Sequence, residues 1–317
     1  MNALPEQRPL GSSGIEVSAL ALGSWRTFER IPRERGVAVM QAARERGIAF
    51  LDDARYDDET GTAPLATGYS EVVFGELFRR AGWRRDEVVV ANKLWWEFWP
   101  EQSAQEELDG SLGRMGFDYL DLVYSEVPPE GLEVAEVVRA AAELIQAGKA
   151  RAWGVLNWGA GALAAAADVA RAEGLPPPCA AQLPYNLVLR DWVEAPEARE
   201  ALVSSGAKVV ASMTLWSGAL TGKYAGEGAS GRIAGRLDDE RLRPALEAAV
   251  PLAQLAAELG TTPAALALAF ALANDDVASV LFGATRPEQV AENAEAVDVL
   301  ARLDEAALAR LRAIGGD

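Results

Sequence analysis

The octapeptide Ala49-Phe50-Leu51-Asp52-Asp53-Ala54-Arg55-Tyr56 decides how the rest of the chain is read. It begins as a short apolar run of strand character and turns abruptly polar, with two carboxylates, a guanidinium and a phenol. An apolar run of this kind would sit wholly in a core, so the polar residues at its end need partners or a function. The pattern recurs along the chain. Strands are predicted at residues 17–25, 49–54, 88–94, 119–127, 151–157, 179–186, 207–214 and 277–284. Helices are predicted between them at 35–47, 70–81, 104–116, 132–149 and 160–174. Within 132–149, Leu132, Val134, Val137, Val138, Ala141, Leu144 and Ile145 recur at helical spacing and form one buried stripe. Gly47, Gly148, Gly174 and Gly260 stand where a left-handed helix cap is needed. Eight strands alternating with helices, with no Pro/Ser/Gly linker and no internal repeat, predict an α/β fold. The expected form is a (β/α)8 TIM barrel folded as a single domain over residues 1–317.

Composition narrows the chemistry. The 317 residues include no histidine, which excludes histidine-based hydrolases, histidine-ligated zinc and histidine proton shuttles. A single cysteine, Cys179, excludes an intrachain disulfide and a thiolate metal cluster, and no metal is expected. Thirty Lys plus Arg against 47 Asp plus Glu give a net charge of −17, so nucleic acid and anionic membranes are poor partners. With no leader-like start and no long uncharged apolar run, a cytoplasmic protein is expected. Gly226, Gly228 and Gly231 make a GxGxxG pattern. It lacks the preceding strand and following helix of a dinucleotide fingerprint, so residues 221–244 are read as a mobile loop at the barrel mouth.

In a barrel of this type the site lies at the carboxyl ends of the strands. The second strand ends in Asp52, Asp53 and Tyr56, the third in Asn92-Lys93, the fourth in Ser125-Glu126 and the fifth in Asn157. The sixth carries Gln182, and the eighth runs into Gly283-Ala284-Thr285-Arg286. Asp52, Tyr56, Lys93 and Glu126 form a coherent acid–base set. A lysine beside a tyrosine favours the phenolate, and a carboxylate beside the lysine keeps the lysine charged. Glu97, Glu101, Glu106 and Glu107 read as the solvated side of a loop and helix.

Over nearly its whole length the chain resembles the aldo-keto reductases. Arg8-Pro9-Leu10-Gly11, with Gly14, Val17-Ser18 and Leu22-Gly23-Ser24-Trp25, is similar to that family's opening hairpin, placed at 1–16, and first strand. Phe50 to Tyr56, Tyr69-Ser70-Glu71, Ala91-Asn92-Lys93 and Gly116 to Leu122 continue the likeness. So do Gly154-Val155-Leu156-Asn157, Gln182, Tyr185-Asn186, Leu220 to Tyr224 and Gly283 to Asn293, before a C-terminal helix at 301–317. The resemblance implies Tyr56 as proton donor, Lys93 as its pKa-lowering neighbour and Asp52 as the lysine's partner. The family's usual histidine after the fourth strand is Glu126 here. The stretch from Asp52 to Tyr56 is one residue short of the usual pattern, and an insertion at 57–68 makes Tyr69 a rival donor.

The resemblance further implies NADPH as cofactor. Its expected binding residues are Gly23, Ser24, Trp25, Asn157, Gln182, Ser212, Thr214, Leu215, Gly218, Lys223, Gly283, Thr285, Arg286, Gln289 and Asn293. Arg286 favours NADPH over NADH, and Asn157 and Gln182 are expected to bind the nicotinamide carboxamide. Ser212 stands where the family has an aromatic that stacks on nicotinamide; Trp25, Trp158 and Trp216 are the possible substitutes. Leu156 stands for a family serine. Trp95, Trp96, Trp99 and Trp158 are expected around a flat, apolar small-molecule substrate, cyclic ones included.

Glutamate at position 126 resembles the steroid 5β-reductases, so an ene-reductase is expected, acting on a conjugated C=C or a C=N. A buried glutamate that stays protonated can polarise the conjugated carbonyl. The alternatives are an ionised Glu126 paired with Lys93, conventional carbonyl reduction by Tyr56 alone, and a catalytically weak cofactor-binding regulatory protein like the potassium-channel β-subunits. The oligomeric state is left open.

Overall fold

A computed structural model describes residues 6–224 and 231–316. The strands are β1 (Gln7–Pro9), β2 (Glu16–Ser18), β3 (Leu20–Gly23), β4 (Phe50–Asp52), β5 (Val89–Leu94), β6 (Leu120–Ser125), β7 (Ala150–Leu156), β8 (Ala180–Pro184), β9 (Lys208–Ser212) and β10 (Val277–Gly283). The α-helices are α1 (Arg33–Glu45), α2 (Tyr69–Arg80), α3 (Ala104–Met115), α4 (Val134–Gln146), α5 (Ala160–Glu173), α6 (Asp191–Glu194), α7 (Pro196–Ser205), α8 (Arg243–Glu258), α9 (Pro263–Leu272), α10 (Pro287–Arg302) and α11 (Glu305–Ile314). The strands β3 to β10 close into a parallel barrel, β10 pairing with both β9 and β3. Each predicted strand contains one barrel strand, except that β7 starts one residue earlier, and the predicted helices agree to within a turn. The chain folds as a single (β/α)8 barrel.

Local chemistry fixes the ends of these elements. Ser103 and Glu106 make a reciprocal capping box that opens α3. Gly116, Gly174 and Gly206 close α3, α5 and α7 in the left-handed conformation. The terminal helix is shorter than the predicted 301–317. Leu303 is extended, Asp304 accepts from Ala307 N–H, and α11 starts afresh at Glu305; residue 317 lies outside the described residues. The hairpin β1–β2 pairs Gln7 with Ser18, so it runs two residues beyond the expected 1–16; residues 1–5 lie outside the described residues.

Gly226 and Gly228 of the GxGxxG pattern, with the rest of 225–230, also lie outside the described residues. The remainder of the expected mobile loop at 221–244 is well anchored: Ile233 and Leu242 are buried, short 3-10 turns form at Ala234–Arg236 and Glu240–Leu242, and α8 begins at Arg243.

Two apolar layers hold the fold. Side chains from β2 and the β1–β2 turn (Leu10, Ile15, Val17) plug the barrel interior against Phe50, Leu122, Tyr124 and Cys179. Gly11 sits at φ +55°, and a Cβ there would collide with the Cys179 carbonyl, so the plug requires glycine at this point. The second layer packs the outer strand faces against the helices, with α9 buried from Ala265 to Leu272. No single described helix is long and apolar enough to cross a membrane.

Strand periodicity then places the site. Side chains alternate across a strand. With Phe50, Ala91, Tyr124 and Ala180 facing the barrel interior, Asp52, Lys93, Glu126 and Gln182 share that face two residues further towards the carboxyl ends.

Candidate active site

The Lys93 ammonium is the hub of the barrel mouth. Its Nζ donates to Asp52 Oδ1 at 2.6 Å, to the Asp53 carbonyl at 3.2 Å and to the Tyr56 hydroxyl at 3.3 Å. Asp52 and Lys93 are almost wholly buried, 2% and 3% exposed. The second oxygen of Asp52 accepts from Gln182 Nε2 at 2.9 Å. Burial disfavours the charged lysine, but Asp52 and then Tyr56 outweigh it and hold the Lys93 pKa above its usual value. Burial raises the Tyr56 pKa, and Asp52 and Asp53 add to this; Lys93 opposes them without prevailing. The expected lowering of the tyrosine by lysine is therefore present as a component and is overridden by desolvation.

Tyr56 is held by its backbone. Ser70 Oγ accepts from Tyr56 N–H and donates to the Ala54 carbonyl, while the Tyr56 carbonyl accepts from Gly68 N–H. The insertion 57–68 therefore returns on itself, pairing Asp57 with Thr67, and delivers the chain to α2. Tyr69 points elsewhere: its hydroxyl accepts from Arg33 Nη2 at 2.8 Å, and the Arg33 guanidinium lies 5.5 Å over its ring.

Behind the lysine lies a polar layer that the sequence reading largely missed. Asn92, on the outer face of β5, donates from Nδ2 to fully buried Glu71 Oε1 at 2.9 Å and accepts from Lys93 N–H at 2.6 Å. Arg114 Nε donates to the other oxygen of Glu71. Asp53 is fully buried; Ser24 Oγ donates to Oδ1, while Oδ2 has no hydrogen-bond partner among the described residues. Burial, with Glu71 nearby, pushes the Asp53 pKa well above the usual carboxylate range. Glu107 was expected to be solvated but is buried. Buried Glu107 accepts from Trp95 N–H and Trp96 N–H and lies 3.7 Å from the Arg55 guanidinium, so it shapes the loop after β5. The adjacent acidic pair at 52–53 was the one sequence signal for Asp53; nothing local distinguished Glu107 from Glu106.

Glu126 continues the β6 ladder, its N–H donating to the Leu94 carbonyl at 2.9 Å. Its side chain is half-buried. Desolvation raises its pKa, while hydrogen bonds from the Val127 backbone and Asn157 side chain, and then the Lys93 charge, pull the other way. Lys93 takes Asp52 as its carboxylate partner, and no Lys93–Glu126 ion pair forms among the described residues.

The sequence model of the aldo/keto reductase family matches residues 19–315. The chain belongs to this family. It is 34% identical, over 98% of its own length and 96% of the other's, to an Oryza sativa subsp. japonica protein described as a probable voltage-gated potassium channel subunit beta. An Arabidopsis thaliana protein of the same description is 32% identical over the same shares. Aldo/keto reductases are oxidoreductases that generally reduce their substrates with NAD(P)H.

The expected cofactor residues of this aldo/keto reductase lie at the carboxyl ends of β3, β9 and β10, within β8, in the loops after β3, β7, β9 and β10, and on α10. Exposed Lys223 and Arg286 have no ion-pair partner among the described residues, and Arg286 precedes the N-terminus of the sixteen-residue α10. Gly218 adopts φ +87°, and a Cβ there would meet Lys223 Nζ at 2.8 Å. Two unpaired cations, a helix N-terminus and a glycine that keeps space beside the lysine fit a phosphate-bearing dinucleotide. Thr214 Oγ1 donates to the Leu281 carbonyl and ties the loop after β9 to β10; Leu215 follows it and Ser212 ends β9. Gly283 ends β10, with Asn293 buried on α10 beyond it.

Several expected contacts differ. Gln289 Oε1 accepts from Thr285 N–H and Oγ1 and from Arg286 N–H, capping its own helix, which leaves only its Nε2 for a ligand. The Gln182 amide nitrogen is committed to Asp52, and the Asn157 side chain lies close enough to Glu126 to lower its pKa. Trp25 is exposed and lies between Arg26 and Arg232, whose guanidinium carbons sit 5.3 and 5.2 Å from its ring centre. Arg232 also donates to the Trp25 and Arg26 carbonyls, binding the segment before α8 to the loop after β3, a link the sequence did not reveal.

The tryptophans divide. Trp95 meets Tyr56 edge-on at 6.1 Å, and partly buried Trp99 packs over Gly131. Trp96 departs from the expected substrate contact: its ring is buried in the core and its Nε1 donates to Ser125 Oγ at 2.8 Å. Trp158 departs likewise, buried in the core beside a groove between α5 and α7.

Proposed function

We propose that this aldo/keto reductase uses NADPH to reduce a conjugated C=C, as in an enone, or a related C=N of a small, apolar, cyclic molecule. The observation that carries the reading is a half-buried Glu126 of raised pKa on the same interior face as Lys93, with the lysine's charge already met by Asp52. A carboxylic acid in such a position donates a strong hydrogen bond. Bound NADPH supplies a hydride.

Tyr56 and protonated Glu126 hold the substrate carbonyl oxygen between two donors, drawing electron density from the β-carbon and stabilising the oxyanion that develops. The Tyr56 hydroxyl supplies the proton, its raised pKa keeping that proton in place until transfer, and Lys93 steadies the phenolate that remains. Asp52 and Gln182 keep Lys93 aimed at the phenol. Lys223, Arg286 and the α10 N-terminus hold the phosphates, and Arg286 selects the 2′-phosphate. Trp95 and Trp99, with exposed Trp25, Phe98, Val127 and Met213 on loops after β3, β5, β6 and β9, offer the substrate an apolar rim.

The test compares an α,β-unsaturated ketone with its saturated analogue while NADPH oxidation is followed, in the wild type and in Glu126→His. The wild type should prefer the enone and the variant should lose that preference; a wild type that prefers the saturated ketone overturns the reading. The relatives' description as channel subunits favours a second reading, a cofactor-binding partner of another protein. Single-turnover oxidation of bound NADPH by a panel of enones, ketones and aldehydes separates the two: tight cofactor binding without transfer to any of them supports the second.

A further inference from the structure

Away from the residues assigned to catalysis, α5 and the α6–α7 segment frame a groove of about 260 Å³. Its wall is apolar, with Leu163 from α5, Leu183 from β8 and Leu202 from α7 beside the rings of Trp158 and Trp192. Trp192 is 39% exposed, in contrast to the buried aromatics of the core. Asp191 and Glu197 stand at the same groove, both exposed and neither with an ion-pair partner among the described residues. The neighbouring Arg190 guanidinium pairs with Glu194 through two hydrogen bonds of 2.7 and 2.9 Å. A separate signal lies deeper. Trp158 is 2% exposed, and its indole Nε1 has no acceptor among the described residues. A buried N–H normally finds a partner, and one left without is unfavourable until an acceptor reaches it.

We propose that this groove binds a small organic ammonium ion carrying one hydrogen-bond acceptor. The two free carboxylates select a cation, and tryptophan is the strongest aromatic partner for an ammonium group. The leucines take the apolar body of the ligand, and its oxygen accepts from the Trp158 indole. The volume lies below the ~300–1,000 Å³ usual for sites of drug-sized ligands, so the ligand is small. The site backs onto the catalytic strands: Trp158 follows Asn157, which lies beside Glu126, and Leu183 follows Gln182, which bonds Asp52. Its occupancy nevertheless rests on none of the roles assigned at the barrel mouth.

The probe is 2-phenoxyethylamine, protonated at pH 7, with neutral 2-phenoxyethanol as its uncharged counterpart, titrated calorimetrically into the full-length protein with and without saturating NADPH. One saturable site per chain is expected, about tenfold or more tighter for the amine than for the alcohol, weakening with added salt and indifferent to NADPH. The surface variant Asp191→Asn/Glu197→Gln should lose about tenfold in amine affinity while its melting temperature stays near wild type. Trp158→Phe, which removes only the indole donor, should weaken amine and alcohol alike. The proposal is overturned by no saturable binding up to about 10 mM, by equal affinity for amine and alcohol, or by unchanged affinity in the double variant. Displacement by NADPH, or a concentration-dependent dimer that Trp192→Asp disperses, would assign the groove to the cofactor or to a second copy of the chain and also overturn it.

Discussion

Lys93 Nζ lies 2.6 Å from Asp52 Oδ1 and 3.3 Å from the Tyr56 hydroxyl, so one buried cation joins a carboxylate and a phenol set four residues apart on the same strand end. Removing the cation alone strands a buried negative charge, whereas removing both charges does not. Lys93→Met should therefore destabilise the fold by about 3–5 kcal/mol, and Asp52→Asn/Lys93→Met should recover much of that loss, read from urea unfolding midpoints. Because the folded Lys93 pKa is raised, its contribution is fully present below the unfolded lysine pKa of about 10.4 and disappears as pH rises through the higher folded value.

The two tyrosines near the mouth separate by their partners. Tyr56 meets Lys93, and Tyr69 meets Arg33. Tyr56→Phe should lower kcat by about 10²–10⁴-fold with little change in NADPH affinity, and Tyr69→Phe should leave kcat near wild type. Loss of turnover in Tyr69→Phe alone would reassign the proton donor.

The barrel was legible because parallel strands buried on both faces read as apolar runs, and each run here ends where polar residues begin. Asp52, Lys93 and Gln182 could be placed together for the same reason: period-two alternation carries them to one face. What stayed hidden depends on packing between distant segments. Trp96 and Trp95 are neighbours of one residue type, yet one ring is core and the other faces Tyr56. Glu106 caps α3 at the surface while Glu107 is buried under the loop after β5, a difference set by which side of the helix meets the barrel. Gln289 looked like a ligand donor because a side chain that satisfies its own helix end has the same composition as one that waits for phosphate. Arg232 reaches Trp25 across more than 200 residues of chain, beyond any local pattern.

Asp53 gives a pH-dependent prediction of the same sign as Lys93, in a lower pH range. An acid whose folded pKa is raised favours the folded state below its unfolded pKa, near 3.9, and that advantage is lost as pH rises towards the folded value. Asp53→Asn should thus be more stable than wild type at pH 8, with the difference shrinking towards pH 4, measured as melting temperature against pH. A difference that grows on acidification would contradict burial of an uncompensated carboxyl at this position.

Cofactor selectivity should reside in Arg286 and Lys223, neither of which has an ion-pair partner among the described residues. Arg286→Ala should weaken NADPH binding by about tenfold and leave NADH nearly unaffected, since a charge-assisted contact to the 2′-phosphate is lost. Lys223→Ala should weaken both, because it acts on phosphate common to the two. Fluorescence titration of each nucleotide distinguishes these outcomes.

The central claim is that Glu126 keeps its proton at neutral pH. Infrared difference spectra between wild type and Glu126→Gln, recorded with NADP⁺ bound, read that proton directly. The proposed mechanism predicts a protonated-carboxyl C=O stretching band in the wild type at pH 7 that is missing from the variant and fades as pH is raised. An ionised-carboxylate signal for Glu126 at pH 7, with no protonated band, would contradict it.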